Sequence, residues 1–443
     1  MTRRDVLRTL ALTPVGAALA LPLAGCGTAG DEGSSAGTGP GSAGLALSRV
    51  SRSRGSMAAL PDAVTSVQAL TGDLFMRLAA AGTGNLVCSP YSVAMALAMT
   101  RNGAAGTTAT EMDAVLHAPA LGALNGGLNS LAQLLDKRAG RKTRADGSRG
   151  LVSLDVANSL WGQRGTTWQP TFLDALARDY GAGMRLVDYK RDAAGATELI
   201  NDWTASATHD KIPDIIPPGL LSALTRLVLV NAIYLKAPWE EPFEPVLTSR
   251  KPFHKTAGST VQADTMAATL KEAAFASGPG WQAGRLGYAG GELAMAVVLP
   301  DPGRLEEVQA SMDGPMLGKL LTSFQPVASM RIELPRFTFR ARFGLDDQLI
   351  ALGMPTAFDP VRADFSGMTT QAQLCISAVL HQAFIAVDEH GTEAAAATAV
   401  VLDTTSLPAN QVVLKADRPF LFVLFDVETS APLFIGRVSD PTV

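Results

Sequence analysis

Unbroken apolar runs in the second half of the chain constrain its fold most. Residues 227–235, 294–299 and 420–425 are almost free of polar side chains. Such runs are typical of strands that are covered on both faces, whereas a strand with one face in water alternates apolar and polar residues. The chain must therefore build sheets that are packed on both sides. Its 443 residues, 47% of them hydrophobic, supply enough apolar surface to do so.

The first half of the chain predicts helices instead. Ser89-Pro90 is typical of a helix start, because serine can cap free backbone N–H groups and proline suits the first helical position. Strand patterns begin at about residue 151. Helices at the front with strands concentrated later predict an α+β class rather than alternating βαβ units.

The first 25 residues predict an export signal that is not part of the fold. Arg3-Arg4 lie in a twin-arginine pattern, and the apolar stretch that follows is too short and too broken by proline for a comfortable membrane span. The stretch ends in residues 23–26, Leu-Ala-Gly-Cys, which resemble a bacterial lipobox. In such signals cleavage precedes the cysteine, so Cys26 is the expected lipidation site. The lipobox predicts an exported cell-envelope lipoprotein at the extracellular face of the membrane. An uncleaved hydrophobic anchor is the alternative, and both readings predict export and attachment to the membrane.

Behind Cys26, residues 26–57 are rich in Gly, Ser and Ala and predict a flexible tether. Residues 58–443 predict one folded domain. The formal net charge of −4 argues against nucleic acid as a partner. Cys88 and Cys375 do not make a disulfide framework, and without clustered His or Cys residues we expect neither a metal nor a cofactor.

A small-residue stretch near the C-terminus has the pattern of a strand that slides between two others. Gly391 permits a backbone reversal, and four consecutive alanines follow Glu393. Along a strand, the residues that share one face, all small or apolar, are Thr392, Ala394, Ala396, Thr398, Val400 and Leu402. Glu393 is on the other face and is expected to point outward, because burying an unpaired charge would cost several kcal/mol. Since alanine also favours helix, an exposed helix or a flexible linker is the alternative.

Seven stretches, in order along the chain, resemble the serpin family. The strongest match is residues 381–398, HQAFIAVDEHGTEAAAAT, although Gln382 and Asp388 depart from the usual residues, as does Ala237 in the second match. The other six matches are NLVCSPYSV at 85–93, NAIYLKAPW at 231–239, LPRF at 334–337, ADFS at 363–366, RPFLF at 418–422 and LFIGR at 433–437. The resemblance implies an α+β fold with three β-sheets, about eight or nine helices and an exposed reactive loop near the C-terminus.

The resemblance also implies a monomeric, non-enzymatic inhibitor that traps secreted serine proteases as covalent acyl complexes. In the family the scissile residue lies fourteen positions after the hinge glycine, which gives the bond Thr405–Ser406, with Thr404 or Ser406 as alternative scissile residues. The implied hinge residues are Glu389, Gly391, Thr392, Glu393, Ala394, Ala395, Ala396, Ala397 and Thr398.

Two further groups follow from the resemblance. A shutter, the polar cluster beneath the opening strands, comprises Ser89, Ser92, Asn231 and His381. A breach, where the loop first enters the sheet, comprises Trp239, Arg336 and Glu389. The alternatives are satisfied core polar residues or a catalytic Ser–His pair for the shutter, and core packing with a surface ion pair for the breach.

A basic run is a weaker candidate for contact with a polyanion. It comprises Lys137, Arg138, Arg141, Lys142 and Arg144. Interspersed glycines favour a mobile, solvated loop as the alternative. Two rival functions remain at this point, a non-inhibitory serpin that acts as a binding or structural module, and an exported lipoprotein that binds or hydrolyses a solute.

The loop composition limits the target protease. Between His390 and Leu414 there is no Lys, no Arg and no aromatic residue. In a trypsin-like protease, no residue of this loop would pair with the buried carboxylate of the primary pocket. In a protease with a deep pocket for aromatic side chains, no residue of this loop would fill that pocket. Thr405, with Leu402 three positions upstream, therefore predicts a subtilisin-like or elastase-like target.

Overall fold

The computed structural model describes residues 43–256, 258–393 and 411–443. The export signal, Cys26, the hinge residues Ala394, Ala395, Ala396, Ala397 and Thr398, and the Thr405–Ser406 bond lie outside the described residues. The α-helices of the described part are α1 (Leu60–Ala80), α2 (Pro90–Arg101), α3 (Gly106–Val115), α4 (Leu121–Asp136), α5 (Pro170–Ala175), α6 (Ala193–Ala207), α7 (Leu305–Ala310), α8 (Gly314–Thr322) and α9 (Asp346–Leu352).

The strands are β1 (Gly44–Ala46), β2 (Leu86–Cys88), β3 (Gly140–Thr143), β4 (Arg149–Gln163), β5 (Met184–Val187), β6 (Leu227–Pro238), β7 (Ser249–His254), β8 (Thr260–Gly278), β9 (Trp281–Gly287), β10 (Leu293–Pro300), β11 (Gln325–Pro335), β12 (Phe337–Gly344), β13 (Ala378–Asp388), β14 (Gly391–Thr392), β15 (Val412–Lys415), β16 (Phe420–Asp426) and β17 (Pro432–Val438). Most helices precede β6 and most strands follow it, so the predicted α+β class is confirmed.

The first sheet carries the candidate site. Its strand order is β1-β5-β4-β6-β14-β13-β12, with β3 paired to the start of β4. Strand β6 is the predicted apolar run, and nearly every residue of it is buried. Helix α2 packs beneath this sheet against β4 and β6 and starts as predicted, because the Ser89 side chain accepts a hydrogen bond from the Ser92 backbone N–H.

The second sheet has two parts that one long strand joins. Its order is β15-β11-β8-β9-β10-β16-β17-β2, with β7 on β8. The two parts are continuous because β8 is 19 residues long and pairs with β7 at one end and with β9 at the other. Strand β10, the second predicted run, is buried throughout.

The N-terminal strap, which we define as residues 44–57, is packed on the domain rather than free. Its first residues form β1 on the edge of the sheet, with Gly44 opposite Leu186 in β5. Further along, the backbone N–H of Ser53 donates to the Arg178 carbonyl at 2.7 Å. The predicted tether to residue 57 is therefore too long. The Gly- and Ser-rich composition is misleading because the strap is held partly through backbone groups, which almost every residue carries, and partly through Ser48 and Arg52, which bond to Asp174 and Asn129.

Among the described residues, no helix combines the length and hydropathy required to cross a membrane.

Candidate functional site

The hinge already occupies the mouth of an opening in the first sheet. Gly391 and Thr392 form β14, which pairs with Pro238 and Ala237 of β6 on one side and with β13 on the other. Further down, β6 and β13 pair directly in parallel, from Ile233 to Val228. The two strands thus diverge towards the hinge, and the hinge fills the wedge between them.

Glycine is required at position 391 by both conformation and space. Gly391 has φ +151°, and a Cβ added there would lie 2.2 Å from the Ala237 carbonyl oxygen. Both conditions follow from the tight reversal that returns the chain from β13 into the sheet. The sequence-based interpretation of this residue as a reversal point is consistent with its place in the structure.

Thr392 and Glu393 point to opposite faces, and both are largely enclosed. Thr392 is 2% exposed, and its hydroxyl hydrogen-bonds to the Tyr288 hydroxyl at 2.6 Å. The Glu393 carboxylate pairs with Lys211 at 2.7 Å, and its side chain is only 17% exposed. The expectation that Glu393 points out into solvent is therefore wrong, because the segment after α6, which carries Lys211, covers that face.

The three predicted breach residues converge on the same wedge. Trp239 is buried, its indole N–H donates to the Asp388 carbonyl at 2.9 Å, and its backbone N–H donates to the His390 carbonyl at 2.8 Å. Its ring stacks on Tyr288 with centroids 4.7 Å apart. Because Tyr288 also bonds to Thr392, one aromatic pair contacts the hinge and the chain leading into it.

Glu389 is a buried anion with specific partners. Its side chain is 3% exposed, it accepts a hydrogen bond from Arg336 Nε at 2.8 Å, and it also accepts one from the Thr248 hydroxyl. Burial by itself would raise the pKa of Glu389, but the hydrogen bonds from Arg336 and Thr248 and the guanidinium charge outweigh burial and lower it. The carboxylate is thus enclosed, whereas the Arg336 side chain is 44% exposed.

The four predicted shutter residues also meet, directly beneath the wedge. His381 in β13 lies opposite Asn231 in β6, and His381 Nε2 accepts a hydrogen bond from the Ser89 backbone N–H at 2.9 Å. Neither serine hydroxyl bonds to the imidazole, since the Ser92 hydroxyl donates to Asn158 Oδ1 instead. The alternative of a catalytic Ser–His pair has no geometric support here, because a nucleophile must reach its base.

Asn158 belongs to this cluster, and sequence reasoning missed it. It lies in β4 opposite Asn231, so three polar residues from adjacent strands form one row. The Asn231 amide atoms and His381 Nδ1 are buried without a hydrogen-bond partner among the described residues. The sequence offered no clear signal, because β4 also contains Ser153, Asp155 and Ser159.

Burial lowers the pKa of His381 to about 4, below its ordinary value of 6.5. As pH falls, His381 of the unfolded chain therefore binds a proton near pH 6.5, whereas His381 of the folded protein binds it only near pH 4. We expect the free energy of unfolding to lose about 3 kcal/mol from this residue as pH falls through that window, and to gain nothing above it. Urea unfolding at pH 7.5, 5.5 and 4.5, with His381→Gln as the reference, measures this; an equal pH slope in both proteins would contradict it.

Three of the five cations of the basic run are bound within the domain, so the polyanion contact stays a prediction that rests on the other two. Arg138 is 7% exposed and bonds to Asp426, Glu292 and Glu428. Lys142 pairs with Glu292, and Arg144 donates to the Trp239 carbonyl at 2.7 Å. Lys137 and Arg141 remain exposed. Residues 140–152 are also a hairpin of β3 and β4 rather than a solvated loop. Arg138, which precedes the hairpin, pairs with three carboxylates remote in sequence.

Comparison with known proteins gives one consistent result. A family model described as Serpin (serine protease inhibitor) matches residues 65–441. An uncharacterised serpin-like protein of Thermococcus kodakarensis is 35% identical over 382 residues, with 85% of each chain covered. Leukocyte elastase inhibitor A of Rattus norvegicus is 32% identical, with 81% of this chain and 94% of the relative covered.

Among solved structures, the thermophilic serpin tengpin in its native state is similar over 90% of this chain and 100% of its own. Its TM-score is 0.77 and its sequence identity is 26%.

Proposed function

The chain belongs to the serpin family, and on this premise we propose that it inhibits serine proteases as a suicide substrate. The observation that carries the proposal is the position of the hinge. Gly391 and Thr392 lie as a short strand between β6 and β13, and the residues that follow are small on one face. A strand that begins in this wedge can lengthen without burying a charge on that face.

The register of the hinge shows how far the strand would extend. Thr392 lies opposite Ala237 and runs antiparallel to β6. Continued without a shift, this register pairs Leu402 with Leu227, the first residue of β6. Thr405 would then lie just past the end of the sheet, about 45 Å from the hinge glycine. The direct pairs between β6 and β13 would have to separate to admit the new strand.

The chemistry belongs to the protease. Its serine hydroxyl attacks the Thr405 carbonyl carbon, the bond to the Ser406 nitrogen breaks, and Thr405 remains on the enzyme as an ester. The freed loop inserts and carries the protease to the far end of the sheet. Distortion of the oxyanion hole there leaves the ester unhydrolysed. The uncut protein is thus kinetically trapped above its lowest free energy.

A melting scan before and after cleavage in the loop tests this proposal. We expect Tm to rise by at least about 10 °C on cleavage, a shift that corresponds to several kcal/mol of added stability. A covalent complex should also survive a denaturing gel. A non-inhibitory serpin would show neither change, and a solute-binding lipoprotein would be destabilised by the cut.

The target class follows from the loop composition and is part of the proposal. With no Lys, Arg or aromatic residue between His390 and Leu414, the loop suits a shallow primary pocket. We assign the target to subtilisin-like or elastase-like proteases. A relative whose name is leukocyte elastase inhibitor A is in keeping with that class.

We also propose that the mature chain begins at a lipidated Cys26 and is held at the extracellular face of the membrane. The wild-type protein is expected to incorporate labelled fatty acid, and Cys26→Ala is expected to incorporate none. Two acyl chains give a stable anchor, whereas one does not. An unlabelled wild-type protein that retains residues 1–25 by mass spectrometry would favour the uncleaved anchor instead.

A further inference from the structure

The N-terminal strap exposes apolar side chains that the domain does not cover. Leu47 is 61% exposed and Met57 is 60% exposed, and Leu45 and Val50 are exposed as well. A Cβ at Gly183 would meet both Leu45 and Leu47, so these two side chains lie together over that residue. The strap therefore carries a patch of apolar surface next to the sheet edge.

The same segment is positively charged. Residues 44–58 contain three arginines and no acidic residue. Arg52 is bound to Asn129 and to Asp136. Arg49 and Arg54 are exposed and have no hydrogen bond or ion pair within the part of the chain that the structure describes. Two cations of the strap thus remain available.

The strap lies at the end of the sheet opposite the hinge. Strand β1 pairs with β5, and β5 pairs with the last residues of β4. Those residues lie opposite Val228 of β6, whereas the hinge pairs with Ala237. Nine residues along a strand span about 30 Å. The strap and the entry point of the reactive loop therefore lie at opposite ends of the sheet.

The length of the chain before the described residues limits how far this end can lie from the membrane if Cys26 is lipidated. Sixteen residues, 27–42, separate Cys26 from the first described residue, and they can span at most about 55 Å. If Cys26 is lipidated, the strap is the first described part of the chain after the anchor.

We propose that the strap is a membrane-facing surface that binds anionic phospholipid. Leu45, Leu47 and their apolar neighbours enter the interface, and Arg49 and Arg54 attract the lipid phosphates. This orientation holds the reactive loop away from the lipid. The loop then faces the solvent, from which secreted proteases arrive. Because the apolar contact is small, it is reversible. The strap can therefore detach from the membrane when a trapped protease is carried to this end of the sheet. The inference rests on the proposed export and lipidation.

Tryptophan fluorescence in vesicles tests the orientation. The full chain, reconstituted through its anchor, carries either Leu47→Trp or Val246→Trp. Val246 is a matched control, because it is 76% exposed and lies close to Thr248, which contacts the hinge residue Glu389. In phosphatidylglycerol vesicles with brominated acyl chains, we expect at least twofold stronger quenching of the added emission at position 47 than at position 246.

Charge reversal separates attraction from mere tethering. Arg49→Glu with Arg54→Glu should lower quenching at position 47 to the control level, whereas Arg141→Glu with Arg149→Glu, at the hinge end, should not. Equal quenching at both positions, or equal effects of the two reversals, would overturn the proposal. If the protein carries no lipid, the Leu47→Trp and Val246→Trp variants are mixed with an excess of the same vesicles. Absence of quenching at position 47 would then overturn the proposal as well. Covalent complex formation, assayed in detergent, reports on the inhibitory function separately.

Discussion

Thr392→Arg is expected to turn the protein from an inhibitor into a substrate. Thr392 is 2% exposed, lies between β6 and β13 and bonds to Tyr288. A guanidinium there is far larger than the threonine side chain, and burying it without an anionic partner would cost several kcal/mol. Insertion of the loop would then be slower than hydrolysis of the acyl-enzyme. We expect the yield of covalent complex to fall at least tenfold while cleavage of the loop continues.

The measurement is a denaturing gel of protein mixed with a subtilisin-like protease, scored for complex and for cleaved chain. Thr392→Val is the matched control, since it keeps the shape and removes only the hydroxyl, and it should still trap. Glu393→Gln should also trap, although it loses the pair with Lys211. Undiminished complex formation by Thr392→Arg would refute the insertion mechanism.

Thr405→Arg is expected to redirect the protein to trypsin-like proteases. An arginine would pair with the buried carboxylate of a trypsin-like pocket, and pockets built for such a partner discriminate by several orders of magnitude. The rate constant for inhibition of trypsin should rise at least about 100-fold, while inhibition of subtilisin-like enzymes should fall. The hinge is unchanged in this variant, so trapping itself should persist.

Mass spectrometry of the released C-terminal peptide identifies the bond that the protease cuts. A peptide that begins at Ser406 supports the assigned bond. Thr404→Arg is the neighbouring control, and it should gain far less activity against trypsin. A larger gain for Thr404→Arg would move the scissile bond by one residue, and rapid inhibition of trypsin by the unmodified protein would refute the assigned target class.

The sequence by itself determined the family and the α+β class, and it predicts the alternation of the hinge. These depend on local patterns, namely unbroken apolar runs, the small residues after Gly391 and ordered short motifs, and they do not require knowledge of distant partners. The grouping of Ser89, Asn231 and His381 was also predicted, but only through the family resemblance. Nothing in their spacing places them together.

Only the tertiary structure decided how individual side chains are surrounded. Glu393 was expected to face solvent but pairs with Lys211, Arg138 was expected to be free but meets Asp426, and the strap was expected to be loose but extends a sheet. Each contact joins residues that are more than a hundred positions apart. A residue's type and its neighbours in sequence fix its preference for helix or strand, whereas its burial and its charge partner depend on which remote segment packs against it.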